Sequence, residues 1–237
     1  MPTLLITRPE GRAAAEMQAC AAAGWRAVPF SPIRIEADAA ALQQLPARFR
    51  AADAVFWVSP SAVAAAAPLL DFSDGLPVQI AVGQGSAKAL AQYCPQPVYA
   101  PETGNDSEAV LRLDVWQNLA HSAKILIVRG RGGRDFLAQS LRRQGFAVEL
   151  AEVYFRRPQA LDWALFAQEK PQAAYVTSSA IASALFAQVP LELAQSLETL
   201  LYFTHHERIA ATLRAAGADN VRLVAQLDMH TLQRETE

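Results

Sequence analysis

Residues 125–157 read ILIVRGRGGRDFLAQSLRRQGFAVELAEVYFRR. The run Ile125–Val128 is apolar throughout, which suits a strand buried on both faces of a parallel sheet. Gly130–Gly133 makes a turn, a helix follows, and Gly145 stops it. A second strand then runs out into an extended segment around Tyr154. The chain opens with a near copy of this stretch. LLITR at Leu4–Arg8 answers ILIVR at Ile125–Arg129, Gly11 answers Gly133, and Gly24-Trp25 answers Gly145-Phe146, at an offset of 121 or 122 residues. A second half that restarts the first predicts two similar lobes with a cleft for function.

The rest of the chain carries the same βα rhythm. A helix is expected over 11–23, with Met17, Cys20 and Ala21 on one face, and a strand over Arg26–Phe30. Pro29 and Pro32 demote Ser31–Asp38 to an extended connection, and a polar helix spans Ala39–Arg50. Asp53–Val58 is a buried strand running into Ser59-Pro60-Ser61, a helix start with Ser as cap and Pro at the first turn. Val78–Val82 is a strand followed by Gly83–Ser86 and a helix to Leu90. Val98–Tyr99 is a short strand. Asn105, Asp106 and Ser107 offer caps for a helix to about His121. Ala173–Val176 with Thr177-Ser178-Ser179 repeats the strand before Ser59 at an offset of 118. Leu200–Phe203 leads through Thr204-His205-His206 to a helix stopped by Gly217. Val221–Val224 and Asp228–Glu235 are a last strand and helix. Alternation of this kind predicts an α/β fold, parallel sheets with helices on both faces.

Composition bounds the function. The 237 residues, 52% hydrophobic, allow one to two domains. A net charge of −2 gives no electrostatic reason to expect nucleic-acid or membrane-surface binding. Cys20 and Cys94 lie in apolar helical patterns and read as small buried hydrophobes. The opening MPTLLITRPE lacks the pattern of a signal peptide, and runs such as Ala62–Pro68 fall far short of the roughly 18 apolar residues of a membrane span. A cytoplasmic protein is expected.

In such sheets ligands bind beyond the carboxyl ends of the strands, at helix starts. The candidate turns are Thr7–Gly11, Ser59–Ser61, Gly83–Ser86, Gly130–Gly133, Thr177–Ser179 and Thr204–His206. Their backbone N–H groups and hydroxyls suit carboxylate or phosphate. Arg8, Arg12, Arg129, Arg131 and Arg134 stand at the same strand ends, and guanidinium forks suit carboxylates. Each hydroxyl is either a cap or a ligand contact, and each arginine either a solvated surface group or an anion contact. Gly130–Gly133 does not make a nucleotide loop: Asp135 stands where the dinucleotide motif needs its third glycine, and no Gly-Lys-Ser/Thr follows. His205-His206 lacks a third ligand, so a helix-start or ligand-contacting role is expected rather than metal. Tyr154 lies in EVYFRRP, an extended segment paralleling Ser31–Asp38. It either packs at the lobe junction or projects a weakly acidic phenol as a proton donor.

The order LLITRPEG, PFSPIRIE, VFWVSPSAV, AVGQGSAKAL, ILIVRGRGGRDFLAQSLRRQGFAV, AEVYFRRP and YVTSSAIASAL, spread over essentially the whole chain, resembles the uroporphyrinogen-III synthase family. The resemblance implies two similar α/β lobes joined by a two-stranded linker, with the active site in the cleft. One lobe would comprise residues 1–30 with 158–237 and the other 37–150, with 31–36 and 151–157 as linker strands. It implies a monomer that closes linear hydroxymethylbilane, inverts the terminal pyrrole ring and loses water, without metal or cofactor. By the same resemblance Tyr154 helps the hydroxyl leave, and Ser59, Gly83, Ser86, Ser178 and Ser179 contact substrate. Thr7, Arg8, Ser61, Arg129, Gly130 and Arg131 join them from the turn reading. Many members carry Gly-x-x-Thr-Ala in the last such turn. This chain has His206-Glu207-Arg208-Ile209-Ala210, and His205, His206 or Arg208 is expected to take over an anion contact there. The competing readings are a non-enzymatic bilobal binder of a small polyanion and a nucleotide-dependent transferase.

Overall fold

Residues 1–11, 13–73 and 76–235 are described in a computed structural model; Arg12 lies outside the described residues. Eleven strands occur among them: β1 (Thr3–Ile6), β2 (Arg26–Pro29), β3 (Ile33–Ala37), β4 (Ala54–Trp57), β5 (Val78–Ala81), β6 (Val98–Tyr99), β7 (Lys124–Gly130), β8 (Ala147–Pro158), β9 (Ala173–Tyr175), β10 (Leu201–Thr204) and β11 (Asn220–Leu223). The chain divides into two units, Met1–Arg34 with Arg157–Glu237, and Ile35–Arg156.

The sheet of the first unit has the order β11-β10-β9-β1-β2, every pair parallel. In β1 consecutive side chains point to opposite faces. Leu5 joins a core with Ile181, Leu185, Ile209 and Leu213, from the helices Ser179–Phe186 and Glu207–Ala215. Leu4 and Ile6 join another with Cys20 and Leu232, from the helices Ala14–Ala22 and Met229–Gln233. Each of the three has no solvent exposure, and burying such a side chain stabilises by roughly 1.5–3 kcal/mol. Double-sided burial is why the strand reads as an unbroken apolar run.

The second unit has the order β3-β8-β7-β4-β5-β6. The four pairs from β8 to β6 are parallel. Val55, Trp57, Leu126 and Val128 face the helices Ala39–Arg50 and Pro60–Ala66. Ala54, Phe56, Ile125 and Ile127 face Val110, Trp116 and the helix Phe136–Arg143. The two sheets share one order when β1 is matched with β7, β2 with β8, β9 with β4, β10 with β5 and β11 with β6. Each sheet takes its matching β-α-β stretch, β1-β2 or β7-β8, from the opposite end of its own chain order. The internal repeat is thus a repeat of strand neighbours.

The stretch after Pro32 is more than a connection, because Ile33–Ala37 is a strand at the edge of the second sheet. Pro29 ends β2, the edge strand of the first sheet, opposite Ile6, and Pro32 lies just before β3, so neither takes an N–H from a central ladder. From Pro32 to Asp38 the partner on the other strand retreats: Gln159 N–H donates to the Pro32 carbonyl and Asp38 N–H to that of Val153. β3 and β8 are therefore antiparallel, and they are where the chain passes between the units. Other expectations shift at their ends. The first helix begins at Ala14, past the Gly11 turn at φ 73°. The helix after Asp106 ends at Leu111, followed by a tight 3₁₀ turn over Asp114–Asn118, since Leu113 breaks the helical backbone. The helices Trp163–Glu169 and Ala194–Glu198 stand outside the expected elements; the first is capped by Asp162, which accepts the Leu165 N–H at 2.9 Å, and the second has no side-chain cap. No single helix among the described residues is long and apolar enough to cross a membrane.

Candidate functional site

Every candidate turn follows the carboxyl end of a parallel strand. In the second unit, Ser59 follows β4 and caps its helix, its Oγ accepting the Ala62 N–H at 3.1 Å. Ser61 sits half-buried in the first turn. Gly83 follows β5 and is pressed against the Asn105 backbone: a Cβ there would stand 3.0 Å from the Asn105 Cβ. Ser86, one turn on, is buried, and its Oγ has no hydrogen-bond partner among the described residues.

Tyr154 is packed into the core of this unit, 1% exposed. Its phenol oxygen lies 3.3 Å from the Ser59 Oγ and accepts a hydrogen bond from the Arg156 guanidinium at 3.0 Å. Arg156 also lies over its ring, 5.2 Å from the centroid. Gly130 pairs with Tyr154 at an irregularity in the β7–β8 register, and a Cβ at Gly130 would stand 2.4 Å from the ring. The residue is glycine for space: the ring lies where a side chain would be. Arg131 N–H donates to the Tyr154 carbonyl at 2.8 Å, which ties the turn after β7 to the tyrosine.

The arginines of that turn divide. Arg129 is buried and its guanidinium is already engaged, with Glu152 at 3.0 Å, Asp135 at 2.8 Å and the Arg134 carbonyl at 3.1 Å. It braces the loop: Glu152 Oε1 also accepts from the Gly132 N–H at 3.2 Å. Arg131 is exposed, pairs with Asp38 at 3.3 Å and stacks on Phe155 at 4.8 Å.

In the first unit, Thr7 follows β1 and donates its hydroxyl to the Tyr175 carbonyl at 2.7 Å. Arg8 pairs with the buried Glu16 at 2.5 Å. Ser178 caps its helix by accepting from Ile181 N–H at 3.2 Å, and Ser179 meets the Thr212 hydroxyl at 3.0 Å. At the end of β10, Thr204 Oγ1 is buried without a hydrogen-bond partner among the described residues. His206 caps the next helix through Nδ1, which accepts the Arg208 N–H at 3.0 Å. Arg208 itself is exposed. His205 is half-buried, and its pKa is lowered by burial first and then by His206, Arg8 and Arg208. Burial and the nearby Glu16 push the Tyr175 phenol up to about 12, against the opposing pull of Arg8. Among the described residues no group of three or more His, Cys, Asp or Glu is arranged to hold a metal ion.

The structure thus brings Ser59, Gly130 and Tyr154 into one constellation, and Arg8 within electrostatic reach of His205. Gly83, Ser86, Ser178 and Ser179 stand at the helix starts expected of them. Sequence reading missed Arg156, Glu152, Asp38 and Glu16. Arg156 had a signal: two residues past Tyr154 on a strand, it shares that residue's face. Glu16 and Glu152 had none, since their arginine partners are chosen by packing.

A family model described as uroporphyrinogen-III synthase HemD matches residues 15–232. The uroporphyrinogen-III synthase of Escherichia coli (strain K12) is 30% identical over 215 residues, covering 81% of this chain and 84% of the relative. That of Proteus mirabilis is 36% identical over 75 residues, 32% of this chain and 37% of the relative. Among solved structures, a uroporphyrinogen III synthase of the extremely thermophilic bacterium Thermus thermophilus superposes with a TM-score of 0.61 at 17% identity, over 100% of this chain and 97% of that one. One from Helicobacter pylori 26695 gives 0.57 at 14% identity, over 100% and 98%. At these identities the structural likeness speaks to the fold alone.

Proposed function

This chain belongs to the uroporphyrinogen-III synthase family, and on that premise we propose that it closes linear hydroxymethylbilane to uroporphyrinogen III, inverting the terminal pyrrole ring. The reaction begins with loss of the terminal hydroxyl. The C–O bond breaks, the oxygen leaves as water with a proton supplied by the protein, and the adjacent pyrrole nitrogen supplies the electron pair. The electrophilic carbon so formed is attacked by the substituted position of the terminal ring. The resulting spiro intermediate fragments and recloses with that ring inverted.

The observation that carries the chemical reading is the Tyr154 phenol between Ser59 and Arg156. Tyr154 is the proton donor in this reading, a role worth about 10²–10⁴-fold. Ser59, Ser61, Gly83, Ser86, Gly130 and Arg131 hold carboxylates of the bilane through backbone N–H groups, hydroxyls and the exposed Arg131 guanidinium. Thr7, Arg8, Ser178, Ser179, His205, His206 and Arg208 do the same in the first unit. The unpartnered hydroxyls of Ser86 and Thr204 suit this, because a buried hydroxyl without a partner is stabilised by a polar ligand. Arg129 is left as a brace. Much of the rate lies in positioning: a bilane held curled closes in one sense. The enzyme acts as a monomer in the cytoplasm.

Supplying hydroxymethylbilane and resolving the product isomers tests the proposal. Isomer III in excess of the spontaneous isomer I supports it. Isomer I alone at high protein concentration returns the chain to the class of anion binders.

A further inference from the structure

We infer that Arg156 is a positioning residue that makes the buried Tyr154 an outward proton donor through Ser59. The inference rests on Tyr154 being the acid. A guanidinium carries donors only, so at the Tyr154 oxygen it is Arg156 that donates, at 3.0 Å. One acceptor position of the phenol is thereby filled, and its own proton points elsewhere. The neighbour within reach is the Ser59 Oγ at 3.3 Å, which already accepts the Ala62 N–H at 3.1 Å. Two hydroxyls joined to each other use one of their two protons, and the second is left for an acceptor outside the pair.

Exposure decides which hydroxyl presents it. Tyr154 is 1% exposed, whereas Ser59 is half-buried at the start of its helix. A proton leaving the phenol therefore passes to Ser59 while the Ser59 proton passes outward. As negative charge develops on the phenol oxygen, the guanidinium hydrogen bond strengthens, and it stands in place before the reaction begins. Arg156 meets both the oxygen and the ring face. Packing against the ring would survive removal of the hydroxyl, and hydrogen bonding to the oxygen would not. That difference makes the inference testable.

The experiment is a double-mutant cycle on Arg156→Ala and Tyr154→Phe, with kcat, KM and the ratio of isomer III to isomer I as readouts. Arg156→Ala alone is expected to lower kcat by about 10–100-fold, the range of a charge-assisted hydrogen bond, with little change in KM. In the Tyr154→Phe background the same substitution is expected to change kcat by less than about twofold. Arg156→Lys should recover part of the loss, since it restores a cationic donor. An equal kcat loss in both backgrounds would overturn the inference, because Arg156 would then act on something other than the phenol oxygen. A rise in KM at constant kcat would also overturn it, making Arg156 a substrate anchor. If Tyr154→Phe by itself leaves kcat unchanged, the acid assignment fails and the inference with it, a result distinct from the other two. Melting temperatures of all five proteins show whether each is folded, and Arg156 is exposed enough that its loss should leave them within a few degrees.

Discussion

Replacing Gly130 with alanine adds one carbon at a place where the structure has no room for it. That carbon would stand 2.4 Å from Cε2, 2.5 Å from Cζ and 2.9 Å from the hydroxyl of Tyr154. Non-bonded carbons rest at about 3.5–4.0 Å, so the ring or the strand must give by roughly 1 Å. The ring cannot give freely, because it is packed in the core with Val128, Ala151 and Val153 and bonded at its tip to Ser59 and Arg156. Overpacking of this kind costs about 1–3 kcal/mol, or about 2–4 °C in Tm per kcal/mol for a chain of this size. A shift of about 1 Å in a reacting group costs on the order of 10²-fold in rate. Gly130→Ala should therefore melt several degrees lower and turn over about 10²-fold more slowly. The companion variant is Gly132→Ala, with φ at 70° and, among the described residues, nothing beyond its own chain neighbours within 4 Å of the added carbon. Its cost is left-handed backbone strain of about 1–2 kcal/mol, with Tyr154 undisturbed. The two should lose similar stability, measured by thermal melting, while only Gly130→Ala loses most of its kcat in the isomer assay. Wild-type stability and turnover in Gly130→Ala would refute the reasoning, and so would equal kcat losses in both.

Further outcomes are expected elsewhere in the fold. Ser59→Ala should lose about 1 kcal/mol through its helix cap and also lower kcat, whereas Ser59→Thr, which keeps cap and hydroxyl, should retain both; paired melting and kinetic measurements decide. Tyr154→Phe should lower kcat by about 10²-fold with KM little changed, and unchanged turnover would reduce Tyr154 to packing. His205 has a folded-state pKa below its ordinary 6.5, so in that interval the fold binds fewer protons than the unfolded chain. Stability from this residue is full above pH 6.5, falls as pH drops toward the lowered value and levels off below it. His205→Gln should flatten that part of the Tm-against-pH curve, and an unaltered slope would contradict the assignment. Alanine at His205, His206 and Arg208 together should raise KM for hydroxymethylbilane if this turn contacts the anion, and an unchanged KM would exclude the contact.

Local chemistry was legible in the chain. Ser59, Asp106 and Ser178 were readable as caps because a cap bonds an N–H three residues on, and each does. Leu4–Ile6 and Ile125–Val128 were readable as two-faced strands because burial on both faces leaves an apolar run. The repeat, the parallel sheets and the strand-end turns followed from these signals, and so did Tyr154 as a residue to choose between packing and chemistry. Which strands lie side by side was decided only by the tertiary structure. Thr7 bonds to Tyr175, 168 residues away, and Tyr154 meets Ser59, 95 residues away. An apolar run states that a strand is covered, and nothing in it names the neighbour, which packing of the whole sheet selects. For the same reason Arg129 was indistinguishable from Arg131 in sequence. One is buried and held by two carboxylates, Glu152 and Asp135, inside the loop, and the other meets Asp38 at the surface, because the fold buried the first guanidinium and left the second exposed.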